Sequence, residues 1–357
     1  MTALEQGAAD YANAADRDLR RMIGDSRYEQ YKQRFMADLT PIIYNSLADS
    51  RVGDVYVNGG GHLLFRVHGK GGFQLQRFVV EPEHSERICR TALAINGMES
   101  RAEMQRLFDC QVPFFGARMS ITAPPVSRMW TFTIRKLSTL RRSMEEHVAA
   151  GVLLAEEVSA LREAYRNDES IVVGGATGSG KTVLLQSIID DLVAYVRPQM
   201  EKRIIFLEHV SELQSDFPAA EFWRMDFGTS MLELVHHALR NDPDWIIGGE
   251  LRDGAALPFL RGATTGHPWM ATTHSNSAAH TLVRLCDLAQ ETAPGLNPAP
   301  LVAEAVKIVL YVQRRSDGTR HCPGPVRVLD HHFNPATRTS HFKTAPLVSK
   351  TPVYAVA

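Results

Sequence analysis

Eight consecutive residues, Gly175-Ala176-Thr177-Gly178-Ser179-Gly180-Lys181-Thr182, fit the pattern G-x-x-x-x-G-K-[ST] without a mismatch. Each position has a chemical task. The glycines let the backbone curl until several N–H groups face one anion. Lys181 is placed to reach β- and γ-phosphates, and Thr182 to offer its hydroxyl to Mg2+. The apolar run Ile171-Val172-Val173 leads into the loop, and Val183, Leu184, Leu185, Ile188, Ile189, Leu192 and Val193 recur behind it at helical spacing. A strand thus feeds the loop and a helix leaves it. The ligand these residues predict is ATP with Mg2+.

In an open parallel sheet the ligand lies at the carboxyl ends of the strands, so the polar residues just past each predicted strand are the ones that can do chemistry. Glu208-His209 and then Glu212 follow Phe206-Leu207. Gly248-Gly249-Glu250-Leu251-Arg252-Asp253 follows Ile246-Ile247, and Thr273-His274 follows Ala271-Thr272. Glu250 is the expected catalytic base, with the two glycines before it letting backbone approach the ligand. Glu208 is expected to position water or, with Thr182, the metal. His267 and His274 flank one strand and are expected to act beside the loop. Together these groups suit hydrolysis by a positioned water and not phosphoryl transfer to a metabolite.

Several elements must hold these groups. Residues 1–15 are expected to be disordered. From Asp16 to Leu47 the pattern predicts helix, broken near Pro41, with Leu19, Met22, Ile23, Tyr31, Phe35 and Leu39 inward. Strands are predicted at Asp54–Asn58, His62–Val67 and Phe73–Val80, a helix at Pro82–Ile95, and strands near Phe114–Ile121 and Met129–Lys136. In the last of these Trp130, Phe132 and Ile134 alternate with Thr131, Thr133 and Arg135, so one face is core and Arg135 lies on the wet one. This describes an α+β domain over 16–138. Residues 139–168 read as an interdomain linker and helix. From 169 to 357 strand and helix alternate as in a parallel α/β domain, with strands at Ile171–Val173, Arg203–Leu207, Trp245–Gly248 and Trp269–Thr272 and a late hairpin of Tyr311–Arg315 and Val326–Leu329.

Composition narrows the classes. The 357 residues carry a net charge of −1, which argues against a broadly basic nucleic-acid or membrane surface, although Arg135, Lys136, Arg141 and Arg142 form a local basic run. Four scattered cysteines contain no C-x-x-C pair, as expected of reduced thiols and not of a zinc ribbon or disulfide framework. No stretch approaches 18 apolar residues and the first twenty residues are not a signal peptide, so the expected location is cytoplasmic.

Taken together, these segments resemble the secretion-ATPase superfamily of type II and type IV secretion and type IV pili. Its Walker A box matches Gly175 to Thr182, and its Asp box Phe206 to Leu213. Its Walker B box matches Leu239 to Gly254, and its His box Thr265-Gly266-His267-Pro268 through Thr272-Thr273-His274-Ser275-Asn276-Ser277. Asp54 to Gly59 is similar to the family's N-terminal strand, Thr133-Ile134-Arg135-Lys136 to its arginine-bearing segment. Leu301 to Val306 with Arg314-Arg315 points to the conjugal-transfer (Trb-type) branch, and the zinc module of pilus and type II enzymes is missing. His209 departs from the usual aspartate, Trp245 from an arginine and Trp269 from a glycine. The resemblance implies an N-terminal PAS-like domain joined to a RecA-like P-loop ATPase domain in a homo-hexamer. Arg135 and Arg118 would contact phosphates, and inner-membrane components of a secretion or conjugation machine would be the partners, holding the chain peripherally at that membrane. A pilus or type II assembly ATPase, a P-loop kinase and a nucleic-acid translocase are the competing readings. The strand-end carboxylates and His box disfavour the kinase, and the charge balance disfavours the translocase while leaving direct DNA contact open.

Overall fold

The alternation read around Ile134 builds the middle of an antiparallel sheet. The computed structural model describes residues 16–17, 19–49, 51–67, 72–136, 141–209, 212–225, 228–334 and 339–348, so the expectation for 1–15 lies outside the described residues. The chain divides into two compact units, Met1–Leu140 and Arg141–Ala357.

The first unit contains α1 (Asp25–Asp38), α2 (Pro41–Ala48), β1 (Val52–Val57), β2 (His62–Val67), β3 (Gln74–Val79), α3 (Pro82–Ile95), β4 (Leu107–Val112), β5 (Ala117–Thr122) and β6 (Thr131–Lys136). The strands pair antiparallel in the order β3-β2-β1-β6-β5-β4. Phe132 and Ile134 join the core, whereas Thr131, Thr133 and Arg135 are half-buried on the other face. The helical stretch breaks before Pro41 and, beyond what was expected, also at Gly24. Gly24, at φ 87°, ends the first helical turns, and the Thr40 hydroxyl caps α2 by accepting from Ile43 N at 3.3 Å, with Pro41 at the first helical position. The break at Gly24 shifts the helical phase. Met22, expected inside, is 44% exposed, and Tyr28 fills the core instead. Strand β4 was not anticipated. It is an edge strand paired to β5 alone, and its first residue, Leu107, stays exposed.

The second unit contains α4 (Met144–Ala149), α5 (Ala155–Arg166), β7 (Ile171–Gly175), α6 (Lys181–Val196), β8 (Ile204–Glu208), β9 (Ala220–Arg224), α7 (Met231–Ala238), β10 (Trp245–Gly248), α8 (Ala256–Thr264), β11 (Trp269–His274), α9 (Ala278–Thr292), α10 (Ala299–Ala305), β12 (Ile308–Arg314), β13 (Arg320–His321), β14 (Val326–Asn334) and β15 (Thr339–Pro346). Its sheet runs β15-β14-β12-β7-β11-β10-β8-β9, with β13 paired to β12. The six strands from β12 to β9 are parallel, and β14 and β15 extend the sheet antiparallel. Helices on both faces explain the unbroken apolar runs. Ile171 and Val173 pack with Leu184, Leu185 and Ile188 of α6, while Val172 between them packs with Leu282 and Leu285 of α9.

Residues 141–168 lie wholly in this unit. Met144, Leu153, Leu161 and Tyr165 share the core of Leu184 and Ile188, and Arg162 Nη2 reaches Asp191 Oδ1 at 2.7 Å. The late hairpin is more elaborate than expected. β12 lies parallel to β7, antiparallel to β14, and folds back on itself as β13. The short outer strand β9 and the terminal β15 carried no apolar pattern from which to foresee them.

Candidate nucleotide-binding site

β7 ends at Gly175 between β11 and β12, so the loop opens from the middle of the sheet. Here close packing demands glycine. A Cβ on Gly174 would lie 2.2 Å from Thr281 Oγ1 and 2.3 Å from Ser275 Oγ. Beyond it the chain turns through Gly178 and Gly180, both at positive φ, into α6. Ser179 is buried and its hydroxyl has no hydrogen-bond partner among the described residues, an orphaned polar atom beside an anion cradle.

Lys181 is buried at the first position of α6. Its ammonium donates to the carbonyls of Gly175 (3.0 Å) and Ala176 (3.1 Å) and lies 3.3 Å from His274 Nδ1. Burial lowers its pKa, and the nearby Glu250 carboxylate works against that. An ammonium can only donate, so Nδ1 of His274 accepts and the ring proton sits on Nε2. That nitrogen is 2.8 Å from Glu250 Oε1, and Arg252 Nη2 donates to Glu250 Oε2 at 2.6 Å. Burial would raise the Glu250 pKa, but His274 and Arg252 outweigh it and hold the carboxyl at about 2. A continuous polar chain therefore runs from Lys181 through His274 and Glu250 to Arg252. Its backbone is braced by Thr272 Oγ1 donating to Gly249 O (2.7 Å) and by Leu251 N donating to Thr272 O (2.8 Å).

The two carboxylates at the end of β8 and beyond it make different contacts. Glu208 is 2% exposed, its Oε1 accepting the backbone N–H groups of Glu212 (2.8 Å) and Leu213 (2.9 Å). Gly249 makes room for it. A Cβ there would sit 3.2 Å from Glu208 Cγ and Oε1. Gly248 likewise packs closely, facing Phe259 and Ala271. The carboxylate that reaches the loop is Glu212, whose Oε2 accepts from Thr182 Oγ1 at 3.4 Å. Residues 210–211 of this box lie outside the described residues.

Burial pushes the Glu208 pKa up to about 8, against the two amide hydrogen bonds that favour its carboxylate. The folded state therefore holds this proton at pH values where the unfolded chain, near its ordinary value of about 4.5, has lost it. Stability that is full below pH 4.5 should decline as pH rises toward 8. Glu208→Gln should flatten that slope in denaturant titrations at pH 5, 6.5 and 8. An unchanged slope would mean that Glu208 is ionised in the fold.

His267 is separated from the cluster. It precedes the six-residue strand β11 and His274 ends it, so the two lie at opposite ends of a strand roughly 20 Å long. Its Nδ1 is 3.4 Å from Thr265 Oγ1, a local contact. Both histidines flank β11, and His274 is the one that reaches Lys181. Arg118 and Arg135 stand opposite each other on β5 and β6 of the first unit, and Arg135 Nε donates to Asp54 Oδ1 at 2.7 Å. Most of the suspected basic run is engaged within its own unit. Lys136 donates to the Asp49 carbonyl, and Arg141 to the Gln214 carbonyl at 3.1 Å.

A parallel sheet whose central strand passes through a phosphate-binding loop into a helix, with strand-end carboxylates converging on it, defines a RecA-like P-loop nucleotide-binding domain. The comparisons carry this further, for the family described as type II/IV secretion system protein matches residues 101–340, and the chain belongs to that family. Conjugal transfer protein TrbB of Rhizobium radiobacter is 31% identical over 277 residues, 77% of this chain and 83% of that protein. Type IV secretion system protein PtlH of Bordetella pertussis is 34% identical over 172 residues, 44% of this chain and 48% of that one. Among solved structures, the Legionella pneumophila ATPase DotB has a TM-score of 0.56 at 20% identity over 80% of each chain. The pilus retraction motor PilT with bound ADP has 0.59 at 22%, again over 80% of each. These two share the fold. The chain is a secretion ATPase of the conjugal-transfer and type IV secretion branch.

Proposed function

We propose that this chain hydrolyses ATP to drive conjugative or type IV secretion transfer, working as a homo-hexamer docked on inner-membrane components of its machine. The observation that carries the reading is the Lys181–His274–Glu250–Arg252 chain, which joins the phosphate cradle to a carboxyl held well below its ordinary range. Among the described residues no helix is long and apolar enough to cross a membrane, which fits peripheral docking.

In this reading the loop amides and Lys181 hold the phosphates, and Glu250 orients the attacking water by charge. Glu208 keeps the Glu212 turn in register. The donor set also suits Mg2+. Thr182 and Glu212 present oxygens 3.4 Å apart, and Mg2+ binds through one or two protein oxygens plus phosphates and waters. Among the described residues there is no cluster of three or more His, Cys, Asp or Glu that would form a ready-made cage. When bound, the ion would neutralise charge on the β- and γ-phosphates. The direct test is phosphate release by the purified chain with and without Mg2+, with mass photometry for the ring. A monomeric chain that binds ATP without turnover would overturn the proposal.

Arg135, with Arg118 beside it, is assigned to sense the phosphates in the assembled motor. Burial alone would lower the Arg135 pKa, but Asp54 reverses that and raises it. Arg135→Ala should weaken ATP affinity and turnover together. It should also destabilise the first unit by roughly 1–3 kcal/mol, because buried Asp54 would lose the guanidinium 2.7 Å away and keep the Tyr56 hydroxyl and Arg66 at 3.9 Å. Kinetics unchanged in a variant that melts earlier would leave Arg135 a structural partner of Asp54 only.

A further inference from the structure

The hairpin of β12 and β13 carries a group of arginines that the site described above does not use. Its register sets Arg314 directly opposite Arg320. Like charges facing each other across an antiparallel pair repel. Arg142 adds a third positive charge, and burial, then Arg314, then Arg142 lower the pKa of Arg320. Among the described residues none of these three arginines has a carboxylate partner. The hairpin's own acid, Asp317, is committed to its turn, where Oδ1 accepts Thr319 N at 2.8 Å and Thr319 Oγ1 at 2.7 Å. Arg320 Nη1 donates to the Gly318 carbonyl at 3.1 Å, which aids the turn without neutralising the charge.

Within this group Arg320 lies against the phosphate loop. The position of a Cβ on Gly180 falls 3.5 Å from Arg320 Cγ and 4.0 Å from its Nε, so the arginine stem rests on the residue that caps α6. Gly180 has φ 103°, which favours glycine, and a Cβ there would sit in ordinary contact with Arg320. Arg320 beside the N-terminal amides of α6, with Arg314 opposite it and Arg142 adding to the charge, suits a polyanion, which would relieve the mutual repulsion.

We propose that Arg320, supported by Arg314 and Arg142, is a second phosphate-contacting group of the nucleotide site. It engages the polyphosphate of a nucleoside di- or triphosphate from the hairpin side of the loop. The assignment rests on nucleotide binding at the loop and adds to it contacts from outside the G-x-x-x-x-G-K-[ST] motif. The guanidinium fork suits phosphate oxygens better than a lysine point charge does.

The test is titration of the full chain with ATP and with ADP, comparing wild type with Arg320→Ala, Arg320→Lys, Arg314→Ala and Lys181→Ala. Loss of a charge-assisted hydrogen bond to phosphate should weaken both nucleotides ~10–100-fold in Arg320→Ala. Arg320→Lys should recover part of the loss, and the salt dependence of affinity should be shallower in the alanine variant. Nucleotide-free melting temperature should stay level or rise, since a repulsive pair is removed. Where Arg320→Ala does not fold, Arg314→Ala supplies the same test, with a smaller expected loss. Affinities within twofold of wild type in these arginine variants, alongside a large loss in Lys181→Ala, would overturn the hairpin assignment and leave the loop intact. Intact affinity with a broken oligomer would also overturn it, assigning the arginines to a neighbouring subunit. No ATP or ADP binding by the wild type would instead remove the nucleotide reading on which both rest.

Discussion

Replacing Lys181 with alanine should abolish ATP turnover and leave the fold standing. The ammonium is buried, donates to two loop carbonyls and lies 3.3 Å from His274 Nδ1, so it fixes both the loop and the imidazole. Removing it deletes the loop's only side-chain cation and frees His274 to turn from Glu250. Loss of one preorganised electrostatic contact to a developing charge typically costs ~10²–10³-fold in rate. Here two effects combine, so phosphate release should fall to background. Stability should change little, because a buried ammonium is expensive to keep and burial already lowers its pKa. Nucleotide titration should show lost affinity, and far-UV circular dichroism should match wild type. Turnover near the wild-type rate would sink the assignment of the phosphate loop.

What the sequence makes legible is whatever chemistry is written locally. The loop is contiguous, and its flanking strand and helix carry their own periodicities, so type, place and ligand follow from twelve neighbouring residues. The wet face of β6 follows from alternation in the same way. Its partner does not: Asp54 pairs with Arg135 only because β1 lies beside β6. The carboxylates show the same limit. Glu208 and Glu212 are both acidic residues past one strand, and composition cannot say which turns inward. The choice falls on Glu208 as the propping group because Gly249, on the neighbouring strand's exit, leaves a space for it. Register also separates the histidines, since an intervening strand carries His267 and His274 to opposite ends of the sheet. The edge strand β9 escapes notice because its residues stay half-buried or exposed, so burial imposes no strict pattern on it, whereas β4 does alternate, with Phe108, Cys110 and Val112 buried, over only six residues.

Glu250→Gln should retain ATP and lose hydrolysis by roughly 10²-fold or more, and the reason differs from simple loss of a base. A carboxyl held at about pKa 2 by His274 and Arg252 is ionised throughout the physiological range and is a weak proton acceptor. Its contribution is then a fixed negative charge that orients water and keeps the His274 ring turned to Lys181. Glutamine keeps the shape but drops that charge, and Arg252 loses its partner 2.6 Å away. The wild-type pH–rate profile should therefore have no acid limb owed to Glu250 between pH 5 and 8. Glu212→Gln provides the control, since Glu212 Oε2 meets Thr182 Oγ1 at 3.4 Å and so acts on the cation side of the site. That variant should require more Mg2+ for half-maximal turnover, whereas Glu250→Gln should lower the maximal rate at any Mg2+ concentration. Undiminished hydrolysis in Glu250→Gln would transfer the water-orienting role to Glu212. The polar chain from Lys181 to Arg252 would then serve to hold the loop in shape.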